Sequence, residues 1–149
     1  MTDQWSAGAR GRAGIWLPVA AVAGLGWNLF GLWQFAGSLR QTGESLMAAG
    51  MTAEQAEIYL ALPGWMTVVF AVGVIGGTVG SVLLLLRRVA AVPVFALSLA
   101  GYIALFTGDL AYGVFAGLPE QLVIITTVVL IAGALFALSL FARKRGMLR

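Results

Sequence analysis

Asn28, Gln34, Asp109, Thr126 and Thr127 are polar side chains set inside long apolar stretches, and any chemistry this chain performs must be built from groups of this kind. An ionisable residue inside such a stretch is costly to keep there, so Asp109 reads first as a functional group. Its carboxylate could carry a proton, hold a cation or accept hydrogen bonds from a polyol, with the amides and hydroxyls orienting the same ligand. A structural reading stands beside this one. Asp109 could reach lipid headgroups, or pair with Arg40 or a threonine. A single Asn such as Asn28 could simply fasten two helices together.

Other chemistry is excluded by composition. The chain has no cysteine and no histidine. Disulfides, thiol nucleophiles, Cys or His metal centres and imidazole acid–base catalysis are therefore ruled out. No catalytic residue, metal site or cofactor is expected, and the chain reads as non-enzymatic. An intramembrane enzyme would have to work from Asp109 and the threonines alone.

The elements that position these groups are four apolar runs, about 15–37, 65–86, 92–116 and 121–142. Each approaches or exceeds the ~20 residues a helix needs to cross about 30 Å of hydrocarbon. Of the 149 residues 60% are hydrophobic and 10% charged, against about 25% charged in soluble domains. Mean hydropathy is +0.95. The expected fold is an all-α four-helix transmembrane bundle, a single integral membrane domain over 1–149, with a short interfacial helix in its first outer loop, 38–64. A signal peptide with a cleavage site at Ala21-Val22-Ala23 is the alternative to span one. The apolar run continues through Trp27, Phe30 and Trp33, which favours a span.

Charge sets the expected orientation. Arg10 and Arg12 precede span one, Arg87 and Arg88 separate spans two and three, and Arg143, Lys144, Arg145 and Arg149 follow span four. Eight of the nine basic residues thus share one side, with Arg40 alone on the other. The positive-inside rule puts that side, with both termini, in the cytoplasm. A bacterial inner membrane is the expected location. The pI near 10.0 is explained by this topology, and nucleic acid is not an expected partner. Trp16 falls at the inner interface, and Trp33, Tyr59, Trp65 and Tyr112 near the outer one, where amphipathic rings prefer to lie.

At 1.5 Å per residue, Asn28 lies about 20 Å and Asp109 about 24 Å from the inner boundary. Gln34, Thr107, Thr126 and Thr127 share this outer half, so the sequence predicts an outward-facing polar pocket. In the outer loop, Gly50 ends a short helix at 46–49. Thr52-Ala53-Glu54-Gln55 then reads as a capping box opening an interfacial helix that Pro63-Gly64 stops. Pro18 and Pro93 suit first turns of spans. Gly73, Gly76, Gly77 and Gly80 line one face of span two, as do Gly24, Asn28, Gly31 and Phe35 in span one. Small residues let helices approach closely in lipid, so both faces read as packing seams. The span-two seam could also meet a second copy or a partner membrane protein.

Several stretches are similar to a family of small bacterial four-helix membrane proteins. They are Trp27-Asn28-Leu29-Phe30-Gly31, MTAEQAEIYLALPGW at 51–65, FAVGVIGGTVGSVLLLLRR at 70–88 and VPVFALSLAG at 92–101. The resemblance spans nearly the whole chain. It implies a four-span architecture and, through the label such proteins often carry, sugar transport. Two functions follow as expectations: a small-solute transporter working as an oligomer, or a non-catalytic accessory or assembly subunit of a larger membrane complex. In both, the lipid bilayer is a partner.

Overall fold

The computed structural model describes backbone from Asp3 onward and side chains from Gly14 onward; the side chains of Arg10 and Arg12 lie outside the described residues. Among the described residues seven helices follow one another: α1 (Asp3–Ser38), α2 (Gly43–Ala48), α3 (Ala53–Leu60), α4 (Gly64–Leu85), α5 (Ala91–Ala111), α6 (Val114–Gly117) and α7 (Pro119–Lys144). None of these residues forms a strand. Gly14–Ser38 of α1, together with α4, α5 and α7, are long and apolar enough to cross a membrane. The chain is a multi-pass membrane protein built as a four-helix bundle.

The bundle has two unlike ends. The α4–α5 turn with Arg87 and Arg88, and the end of α7 with Arg143, Lys144 and Arg145, form a basic end. The α1–α4 and α5–α7 connections form a loop end. α1 packs on α4, α4 on α5 and α5 on α7. At the basic end α1 and α7 close the ring through side chains. The Trp16 and Phe141 rings stand 5.9 Å apart, and Gly24 lies against Leu135.

Both glycine seams are used inside this bundle. On α4, Gly73 abuts the Tyr102 ring, Gly76 the backbone of Ser98 and Gly80 the Phe95 ring, all on α5, while Gly77 abuts Asn28 on α1. A side chain at any of them would displace a neighbouring helix, because dispersion contacts at close approach hold helices together in lipid. This corrects one expectation. The span-two seam is already filled by α5 and α1, so it offers no free face to a second copy. The span-one stripe also turns to α4: Gly31 meets Val74, and the Phe35 and Phe70 rings meet edge-on at 5.2 Å.

The loop end follows its cap chemistry. Thr42 opens α2 and Thr52 opens α3, each with a reciprocal capping box; the second pairs Thr52 with Gln55 as the sequence predicts. Gln55 also donates from Nε2 to the Gly117 carbonyl, at 3.0 Å, tying α3 to the α6 turn. Three expected boundaries move. α2 spans Gly43–Ala48 because Thr42 caps it. α5 ends at Ala111, short of 116, because Gly113 turns left-handed at φ 71° and starts the four-residue α6. Pro18 sits well inside α1, because the helix begins upstream of the span. Its ring nitrogen has no hydrogen to give the carbonyl four residues back, that of Gly14.

Candidate functional site

At the loop end α1 and α7 part, and α3 lies over the gap. The result is a cavity of about 260 Å³. Its walls come from the end of α1 (Ser38), α3 (Tyr59), α4 (Thr67), α5 (Tyr102, Asp109) and the first turn of α7 (Gln121). Each of these five elements supplies at least one polar group to an otherwise apolar surround of Leu, Ile, Val, Met and Phe side chains.

Asp109 is the centre of this site. It is 2% exposed, and its Oδ2 is buried with no hydrogen-bond partner. Buried acceptors in folded proteins are nearly always paired, and one left unpaired costs about 1–3 kcal/mol. The Gln121 side chain stands beside the carboxyl. Arg40, a partner the sequence allowed, is exposed and does not line the cavity.

Tyr59, on the covering helix, gives the site a neutral donor. Burial holds its phenol above the usual 10.0, and the nearby Asp109 carboxylate pushes it the same way. The hydroxyl therefore keeps its proton throughout the physiological range. A carboxylate, a phenol and an amide facing one small cavity can bind a ligand that both donates and accepts hydrogen bonds. Among the described residues, no group of three or more His, Cys, Asp or Glu could hold a metal ion.

The floor is closed. Tyr102 is buried against Gly73. Beneath it Asn28, Gly77, Phe95, Ser98 and Leu135 pack without room for a water molecule. Ser98 donates to the Gly73 carbonyl at 2.6 Å, which helps lock α5 to α4 just below the cavity.

Of the five predicted pocket residues, only Asp109 lines the cavity. Asn28 is buried one layer lower and donates from Nδ2 to the Gly24 carbonyl of its own helix at 2.8 Å. Gln34, Thr126 and Thr127 are exposed on the bundle surface. Thr127 bonds back to the Val123 carbonyl. Gln34, Thr126 and Thr127 are turned away from the cavity by the rotation of their helices. Thr126 and Thr127 lie between Ile125 and Val128, which line the cavity. Tyr59 and Gln121, which sequence reasoning left out of the pocket, are a loop residue and a span-start residue. The signal for Gln121 lay in its position: Asp109 near the end of one span and Gln121 near the start of the next must lie at similar depth.

Comparison with family models, with curated proteins and with solved structures found no match.

Proposed function

We propose that the protein binds a small polar solute in the Asp109 cavity and carries it across a bacterial inner membrane, working as an oligomer. The observation that supports this most is the buried Asp109 carboxyl in the lining of a cavity that also carries the Tyr59 phenol and the Gln121 amide. A solute hydroxyl or ammonium would complete the carboxylate's hydrogen bonding. The volume, just below the ~300–1,000 Å³ of drug-sized pockets, suits a polyol, a monosaccharide or a small ammonium ion. With the basic end in the cytoplasm, the cavity faces outward and the packed layer around Asn28 and Tyr102 closes the inward path. Transport then requires α1 or α7 to rock against the α4–α5 pair, a rigid-body alternation of the kind small carriers use.

A second reading, an accessory subunit of a larger complex, is favoured by a different feature. Trp27, Phe30 and Trp33 stack along one edge of α1, with ring centroids 6.5 and 5.9 Å apart. Trp33 is 69% exposed. Such a ladder could seat a partner helix.

Uptake by proteoliposomes tests the two. Radiolabelled glucose, xylose, glycerol and a quaternary ammonium compound would be offered to protein-containing and empty vesicles. Transport predicts saturable uptake of at least one probe over the empty-vesicle background. Background uptake of all four, with stoichiometric co-purification of a larger complex, would replace transport by the accessory role.

A further inference from the structure

A second cavity, of about 520 Å³, opens at the basic end between α1, the α4–α5 turn and the end of α7. Trp16 and Phe141 form its apolar wall, and Arg87 and Arg145 supply two guanidinium groups. The Arg145 guanidinium carbon lies 4.9 Å from the Phe141 ring centroid, so a cation–π contact steadies it. Arg87 reaches across to the Gly14 carbonyl at 3.5 Å, the one that Pro18 leaves without its helical partner. From Gly14 onward every acidic residue (Glu44, Glu54, Glu57, Asp109, Glu120) belongs to the loop end. None of these five side-chain carboxylates lines the cavity.

The backbone at Arg87 is left-handed, a conformation strained for a residue with a side chain. α2 and α7 end with a left-handed glycine, Gly50 (φ 103°) and Gly146 (φ 68°), followed by an amide bonded back five residues: Met51 to Leu46 and Met147 to Ala142. α4 ends the same way, Arg88 to Leu83, but the left-handed position is Arg87 at φ 55°. A side chain there is strained where glycine would be relaxed. The tail after α7 then docks on this turn. Arg149 donates to the Arg87 carbonyl (2.7 Å) and accepts from Val89 (2.9 Å), and Leu148 is buried in the core. The wall that carries Arg145 is thereby fixed against the wall that carries Arg87.

We propose that this cavity binds the phosphate of an anionic phospholipid headgroup, clamped between Arg87 and Arg145. The lipid, rather than a free anion, is the occupant because the cavity lies where the apolar spans end. Ile15, Leu86 and Phe141 beside it are exposed apolar surface on which an acyl chain can lie. Two guanidinium groups on one phosphate are charge-assisted donors, and the site would anchor the α4–α5 turn to the membrane surface.

Native mass spectrometry of the full chain, released from nanodiscs of phosphatidylcholine doped with phosphatidylglycerol, tests this. One phosphatidylglycerol per chain is expected to be retained, and R145Q and R87G are each expected to lower its retention about tenfold. R87G also relieves the left-handed strain, so it should fold in pure phosphatidylcholine at least as well as wild type. K144Q removes the same charge away from the cavity and should leave retention unchanged. Equal loss in K144Q would reduce the effect to general surface attraction and overturn the proposal. So would wild-type retention in both arginine variants, or displacement of the lipid by millimolar inorganic phosphate, which would make this a site for a soluble anion.

Discussion

Asp109→Asn is expected to abolish uptake in proteoliposomes while leaving the protein folded and at least as stable as wild type. The two halves of this expectation come from one observation. A carboxylate placed for packing would be fully paired, and replacing it would destabilise the bundle. The Oδ2 of Asp109 is buried and unpaired, and a neutral amide of the same shape is less costly to bury than a carboxylate. Stability is therefore not expected to fall. Function and stability part in this way where a site is held ready for a ligand. Thermal unfolding and uptake measured on one preparation decide the matter. A variant that unfolds at lower temperature, and loses uptake only in proportion to the folded protein lost, would make Asp109 structural.

Gly101→Ala is expected to be among the most damaging single methyls that can be added to the bundle. A Cβ there would lie 2.8 Å from the Val69 carbonyl oxygen and 3.1 Å from the Gly73 nitrogen. Both are backbone atoms of α4 and cannot rotate away. The α4–α5 crossing would have to open, and overpacking of this kind costs about 1–3 kcal/mol. Gly108 and Gly80 face side chains instead: the Trp65 ring and Met66 in one case, Phe95 in the other. Alanine there should cost less. Gly133→Ala is the control. It has nothing within 4 Å, and a helical Gly→Ala change is neutral or stabilising by up to about 1 kcal/mol. Denaturation in mixed micelles that ranks Gly133→Ala with or below Gly101→Ala would refute the close α4–α5 crossing on which the cavity depends.

What was legible in the sequence, and what was not, follows from the period of the signal. Four spans, the Thr52–Gln55 capping box and the glycine seams were readable because each is written in local spacing. The left-handed turn at Gly113 was missed because the apolar run continues through Val114 and Phe115 without a polar break. The cavity has mostly other members than the sequence suggests. Depth follows from counting residues at a fixed rise, but which way a side chain faces depends on the rotation of a helix about its axis. In lipid both faces of α7 are apolar, so hydrophobicity does not mark the inner one. Asp109 was found because a carboxylate in an apolar run is conspicuous wherever it faces. Tyr59 and Gln121 required the folded loop and the α5–α7 pairing.

The most direct test uses the absence of cysteine from the natural chain. Ser38 lines the cavity from the end of α1, and Ser38→Cys places a single thiol on its wall. The variant would be reconstituted and labelled with a membrane-impermeant maleimide, with and without the best-transported probe. A cavity that binds solute at Asp109 predicts labelling from the loop side, slowed by that probe in Ser38→Cys and not slowed in the Ser38→Cys, Asp109→Asn double variant. Labelling that ignores the probe, or protection that survives loss of the carboxylate, would contradict the account.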